Sequence, residues 1–120
     1  MLPIITFRRA AVYDEDMGRL PKKYVRFFER YPQVGAAYES YGEAVGQAGP
    51  LDEKTRCLVK LGISVGAGLE GAARSHAHKA LQAGATREET AHVAVLAAPT
   101  IGFPRMMQAL SCVDDVIEQE

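Results

Sequence analysis

Apolar side chains recur every three or four residues along most of this chain, and no segment shows the sustained alternation that is typical of a β-strand. The clearest series are Leu58, Leu61 and Val65, and Met106, Leu110, Val113 and Ile117. A helix presents residues at this spacing on one face, and that face must be buried against other helices. The spacing therefore predicts an all-α bundle of about six helices.

Start and stop signals divide this pattern into separate helices. Pro21 and Pro32 suit the first turns of two helices that end near Arg30 and Val45. Asp52 is of a residue type that caps helix N-termini, and it follows a stretch rich in glycine. We therefore expect a third helix to begin directly after it.

Similar signals mark the second half of the chain. Thr86 and Glu89 have the spacing of a capping box, and Gly84 is placed to end the preceding helix in a left-handed conformation. The last helix is expected to follow Pro104. Residues 1–19 carry little periodicity, so we interpret them as an irregular or loosely helical leader.

Length and charge limit the classes of protein to consider. A chain of 120 residues forms one domain, so we predict a single domain over residues 1–120. The 14 Lys and Arg residues are balanced by 15 Asp and Glu, which gives no excess charge to attract nucleic acid. No apolar run approaches the ~20 residues of a membrane span, and no signal-peptide pattern opens the chain. We expect a cytoplasmic protein with neither nucleic-acid nor membrane partners.

Neither the cysteines nor the glycines indicate a cofactor. Cys57 and Cys112 belong to no CxxC pair, which favours reduced, buried thiols over a zinc site or a disulfide. The segment Gly66–Gly71 formally matches the nucleotide-binding pattern GxGxxG, but no strand precedes it, so a turn between two helices is the better interpretation. We predict no metal and no cofactor.

One histidine lies on the apolar face of its helix. At 100° per residue, Leu69, Ala72, Ala73, His76 and Ala80 share that face. A histidine in such a position is often a hydrogen-bonded core residue. The alanines, however, leave space that larger side chains would fill, which favours a small ligand cavity beside His76.

Charged residues flank this histidine. Glu70 and Arg74 lie one helical turn apart, where they suit either an ordinary surface ion pair or the border of a cavity that orients a carboxylate. Lys60 is a second candidate cation, and a solvated helix face is the alternative for it.

Four stretches, taken in order, carry a resemblance to a known family. They are Leu51–Arg56 (LDEKTR), Arg74–His76 (RSH), Ala80–Glu89 (ALQAGATREE) and Gly102–Pro104 (GFP). Together they resemble the carboxymuconolactone decarboxylase family, which has the AhpD-like fold, and the resemblance covers about residues 50–112. It implies an all-helical subunit that assembles into trimers or hexamers, with a pocket near a subunit contact.

Two branches of that family have different chemistry. In the thiol branch, a CxxC followed by a histidine reduces peroxide-linked partners. The resemblance places that histidine at His76 and the two thiols at Leu69 and Ala72. Neither leucine nor alanine can form a thiolate. A relay glutamate of that branch corresponds to Cys57. In the decarboxylase branch, which acts on a carboxylated lactone, the histidine is again His76, and a glutamate that often lies four residues earlier corresponds to Ala72.

The resemblance and the residues together predict a carboxymuconolactone decarboxylase-like lyase that acts on a small carboxylated lactone or related acid. His76, as proton donor, and Cys57 are the predicted catalytic residues, and Arg74 and Glu70 are the predicted substrate-binding residues. One alternative is a non-catalytic oligomer that binds a small acid or a protein. Another is a peroxiredoxin-like thiol-dependent peroxidase, which the absence of the CxxC cysteines disfavours. The aromatic stripe over residues 24–31 is the expected oligomer surface.

Overall fold

The structure is a computed structural model that describes residues 22–119, so the predicted leader at residues 1–19 lies outside the described residues. Every regular element within this range is a helix, which confirms the all-α prediction. The helices are α1 (Lys22–Arg30), α2 (Pro32–Gly46), α3 (Glu53–Ala67), α4 (Glu70–Gln82), α5 (Arg87–Val95), α6 (Ala97–Ile101) and α7 (Phe103–Gln119). The described range thus contains seven helices rather than about six. None of them is long and apolar enough to span a membrane.

The chain divides into two compact units between Pro50 and Leu51. In the first unit, α1 and α2 are joined at Tyr31, and buried Gly35 of α2 faces the ring of Phe28. A methyl group on Gly35 would collide with that ring, so glycine permits the close approach of the two helices. Phe27 packs on Tyr31 with their ring centroids 5.3 Å apart. The prediction of one domain over residues 1–120 stays a prediction.

The second unit contains α3 to α7 around one buried cluster. Its members are Leu61, Val65, Ala73, Ala77, Ala94, Ala97, Met106, Ala109, Val113 and Val116. Half of these residues are alanines, which occupy little space between helix backbones. Helices that meet on alanine lie close together, so the positions of side chains at the edges of the contact are well defined.

The predicted helix signals are present in the second unit. The Asp52 side chain accepts a hydrogen bond of 2.8 Å from the backbone N–H of Thr55 at the start of α3. At the start of α5, Thr86 and Glu89 form both hydrogen bonds of a capping box. Gly84 has a φ of 102°, a backbone conformation that favours glycine. These three predictions are confirmed.

The buried face of α4 differs from the prediction in one respect. Leu69 is 55% exposed, because α4 begins at Glu70 and the extended backbone of Leu69 takes it out of the helical register. Ala77, which the prediction omitted, is fully buried beside Ala73 and Ala80. The placement of Leu69 on the apolar face was therefore wrong. His76 lies at the edge of the alanine face and is half-buried.

Enlarging the alanine face should separate the helices. We expect Ala77→Leu to lower the free energy of unfolding by about 1–3 kcal/mol, because a fully buried alanine leaves no room for three more carbon atoms. Ala44→Leu, on an exposed position of α2, is the matched control and should change stability by less than about 0.5 kcal/mol. Urea denaturation measures both. Equal effects of the two substitutions would contradict the close packing of α4.

Candidate functional site

His76 has the most perturbed environment among the described histidines. Its Nδ1 atom is buried and makes no hydrogen bond within the described part of the chain. Burial of the ring, with smaller contributions from the positive charges of Lys79 and Lys60, lowers the pKa of His76 from its usual 6.5 to about 4. The imidazole is therefore neutral at neutral pH, and one of its ring nitrogens has an unmet capacity for a hydrogen bond.

Two helices supply the charges around this ring. Lys79 follows His76 by three residues on α4, so the two side chains are neighbours on the helix surface, and Lys60 comes from α3. The same two lysines also act on the Cys57 thiol of α3. Lys60 and Lys79 therefore act on both His76 and Cys57, and we call these four residues the α3–α4 site.

Cys57 is a thiol rather than a thiolate in this site. Burial raises its pKa above the ordinary value, and the carboxylate of Glu53 adds to that effect. The positive charges of Lys60 and Lys79 act in the opposite direction without reversing it. A thiol with a raised pKa is a poor nucleophile at neutral pH, which weighs against the thiol-dependent alternative. The predicted catalytic role of Cys57 stays a prediction.

The two predicted substrate-binding residues lie on another side of α4. Arg74 donates to Asp115 Oδ2 of α7 over 3.1 Å, and the two form an ion pair. Glu70 Oε2 accepts a hydrogen bond of 2.9 Å from Gln108 Nε2, also of α7. Around a helix, Arg74 points ~160° away from His76. The structure thus places Arg74 and Glu70 against α7, whereas the lysines that act on His76 also act on Cys57 of α3.

A cleft opens beside Glu70, between α3, α4 and α7. It is open to solvent, the space within it and its mouth together amounts to about 230 Å³, and we call it the α3–α4–α7 cleft. Its lining consists of Ser64, Val65, Gly68, Leu69, Glu70, Ala73, Arg105, Gln108, Ala109 and Cys112. His76 and Cys57 are not among these residues. The cleft is therefore separate from the α3–α4 site.

The buried thiol of Cys112 forms part of the cleft wall. Burial raises the pKa of Cys112, while the positive charge of the nearby Arg74 guanidinium acts against that shift. Arg105, Gln108 and Cys112 were not predicted as site residues. Their spacing of i, i+3 and i+7 in a helix is a signal that would have grouped them on one face.

Metal ligands do not cluster at either place. Within residues 22–119, no three His, Cys, Asp or Glu side chains come together in a group that could hold a metal ion. Both cysteines in this range are free.

Comparison with known proteins gives a family match and one similar protein. A sequence model described as the carboxymuconolactone decarboxylase family matches residues 32–115. An uncharacterized protein of Haemophilus influenzae is 32% identical over 68 residues, which amount to 57% of this chain and 60% of that protein. The chain thus spans less than two thirds of the length of that relative. No solved structure matches the chain significantly.

The low pKa of His76 should make stability depend on pH. An unfolded histidine titrates near 6.5 and His76 near 4, so the unfolded state binds more protons between these values. We expect stability to fall as the pH drops from 6.5 to about 4, by about 1 kcal/mol after allowance for solvent screening of a half-buried ring.

NMR titration of the imidazole ring and urea denaturation at several pH values test this expectation. His76→Gln, which cannot titrate in this range, should lose that part of the pH dependence. A ring that titrates near 6.5 would contradict the environment described here.

Proposed function

The chain belongs to the carboxymuconolactone decarboxylase family, and we propose that it is a lyase that removes carbon dioxide from a small carboxylated lactone or related acid. The reaction would take place at the α3–α4 site. The observation that supports this proposal best is a neutral, half-buried His76 with an unpaired Nδ1 atom, in the field of two lysines. Such a site attracts an anion and offers a group that transfers protons.

The lysines give the site its preference for acids. Lys60 and Lys79 are exposed cations, and in the free protein both oppose protonation of His76. A substrate carboxylate bound between them would offset their charge, since opposite charges within a few ångströms favour the charged form of each group. In the proposed complex, the pKa of His76 therefore rises, and the ring takes up a proton that it does not hold in the free protein.

That proton completes the reaction. The bond between the carboxylate carbon and the adjacent ring carbon breaks, carbon dioxide leaves, and the electron pair delocalises into the lactone carbonyl as an enolate. The two ammonium groups stabilise the developing negative charge. His76 then donates its proton to a carbon of the enolate and regains a proton from solvent. One proton is therefore consumed for each carbon dioxide released. Cys57 takes no covalent part, because its raised pKa keeps it a thiol.

Binding without catalysis is the second candidate. The same lysines would hold a small acid in a protein that performs no chemistry, and the absence of a carboxylate at Cys57 and Ala72 favours this alternative. Release of carbon dioxide separates the two candidates, because both predict binding of the acid. A peroxidase role finds less support, since Leu69 and Ala72 occupy the places of the two thiols.

Assembly into a homo-oligomer, a trimer or a hexamer, is part of the proposal. Val59 and Ile63 lie one turn apart on α3 and are 45% and 66% exposed. Tyr38 and Tyr41 of α2 are also largely exposed. Apolar surface of this kind is typical of contacts between subunits. We also propose action in the cytoplasm, where free thiols such as Cys57 and Cys112 stay reduced.

The proposed lyase predicts a distinct pattern of kinetic effects. With a carboxylated muconolactone as substrate, His76→Gln should lower kcat by at least ~100-fold, the usual contribution of a general acid. Lys60→Gln and Lys79→Gln should each raise KM by about 5- to 10-fold, because each removes one charge from an exposed carboxylate site. Cys57→Ser should stay within about 3-fold of wild type, since an uncharged hydroxyl replaces an uncharged thiol.

Carbon dioxide release is the direct measurement for these variants. Lys54→Gln is the matched control, because Lys54 is also on α3 but pairs with Glu89 over 3.1 Å and is not among the charges that shift the pKa of His76. It should leave both kinetic constants unchanged. If the wild-type protein bound the acid in calorimetry but released no carbon dioxide, the binding alternative would replace the lyase.

The proposed assembly is tested by mass in solution. Light scattering should give a mass of three or six chains for the wild-type protein. The double variant Val59→Glu with Ile63→Glu should shift it to smaller species, because like charges would face each other across the contact. Glu88→Gln, an exposed substitution on α5, should leave the mass unchanged. A monomeric wild-type protein would exclude this part of the proposal.

A further inference from the structure

We propose that the α3–α4–α7 cleft binds a small zwitterion, a molecule with a carboxylate and a protonated amine on a short apolar frame. The cleft lies apart from the α3–α4 site, and this inference does not rest on the lyase reaction. It rests on two opposite charges that share one small cavity without neutralising each other.

The positive charge comes from Arg105, near the start of α7. Its side chain is exposed at the cleft, and within residues 22–119 it forms no ion pair or hydrogen bond. Gly68 makes room for it: the backbone there has a φ of 74°, and a Cβ atom would collide with the Arg105 guanidinium. A glycine at the end of α3 thus lets an unpaired guanidinium lie directly against the backbone. Guanidinium groups bind carboxylates in a bidentate manner.

The negative charge comes from Glu70, at the first position of α4. Its Oε2 atom accepts a hydrogen bond from the amide of Gln108, which fixes the carboxylate but is itself neutral. The described residues provide no cation that pairs with Glu70, and the other oxygen, Oε1, can accept hydrogen bonds from a ligand. Glu70 and Arg105 line the same solvent-open cleft and yet form no ion pair with each other.

The rest of the lining is apolar or uncharged. Val65, Ala73 and Ala109 are buried members of the core cluster that reach the cleft. This surface can contact a few carbon atoms of a ligand, and it offers no partner for a further charged group. The pattern of one cation, one anion and an apolar wall selects among ligand classes. A simple anion meets repulsion from Glu70, a simple cation meets repulsion from Arg105, and a zwitterion satisfies both.

Three probes of similar size separate these classes. L-alanine carries both charges, propionate only the negative one and propylamine only the positive one. In a titration of ¹⁵N-labelled protein followed by NMR, we expect L-alanine to bind at least ten-fold more tightly than either of the others. The shifted signals should include the backbone amides of Gly68 and Leu69 and the side-chain amide of Gln108.

Two substitutions assign the charges. Arg105→Gln should remove the advantage of L-alanine over propylamine, and Arg105→Lys should retain part of it. Glu70→Gln keeps an oxygen that accepts from Gln108 but removes the charge, so it should remove the advantage of L-alanine over propionate. Arg87→Gln, an exposed arginine of α5, is the matched control and should change no affinity.

Variants of the α3–α4 site distinguish binding in the cleft from the proposed lyase reaction. Lys60→Gln and His76→Gln should leave L-alanine binding unchanged, whatever they do to lyase activity. Equal affinity for the three probes would overturn the inference. So would L-alanine binding that persists in Arg105→Gln, or binding that shifts signals only outside the cleft.

Discussion

The close contact of α3, α4 and α7 on small side chains determines where the polar residues of α4 lie. Ala73 and Ala77 of α4 belong to the same buried cluster as Leu61 of α3 and Val113 of α7. Dispersion contacts in such a cluster are weak individually and strong together, and alanine allows many of them between backbones. Because α4 packs against α3 on one side and α7 on the other, its polar residues lie at the edges of these two contacts. Their positions follow from the packing and need no loops to hold them.

This arrangement divides the polar residues of α4 between two neighbours. Lys60 of α3 acts on His76, and Lys79 of α4 acts on Cys57 of α3. Glu70 and Arg74 contact Gln108 and Asp115 of α7. A helix has faces in all directions, so residues two to six positions apart in sequence serve different sites. The sequence alone suggested one constellation around His76, whereas the packing produces two.

Local signals were sufficient to predict most of the helices, though not the short α6, and tertiary contacts were needed to predict the site. Helix boundaries could be predicted where they depend on residues close in sequence. Examples are the Asp52 cap, the Thr86–Glu89 capping box and Gly84. Leu69 was misplaced, because periodicity does not reveal whether a residue at a boundary is the cap or the first turn. The contact between Glu70 and Gln108 joins residues 38 positions apart, which only the packing of α4 on α7 brings together. The direction of the His76 pKa shift likewise depends on burial that the sequence does not specify.

The residues that replace the usual ones change the electrostatics of the α3–α4 site in a consistent direction. By the family resemblance, Cys57 stands where a relay glutamate would be, and its raised pKa makes it uncharged. The positive charges of Lys60 and Lys79 therefore act on His76 without a neighbouring carboxylate to offset them at that position. An anionic ligand would supply the negative charge that a glutamate at the position of Cys57 would otherwise provide. In the proposed reaction the substrate supplies the missing negative charge itself, so that His76 gains a proton only when an acid is bound. His76 can then donate a proton only when a carboxylate is bound, so the proposed reaction is limited to carboxylated molecules.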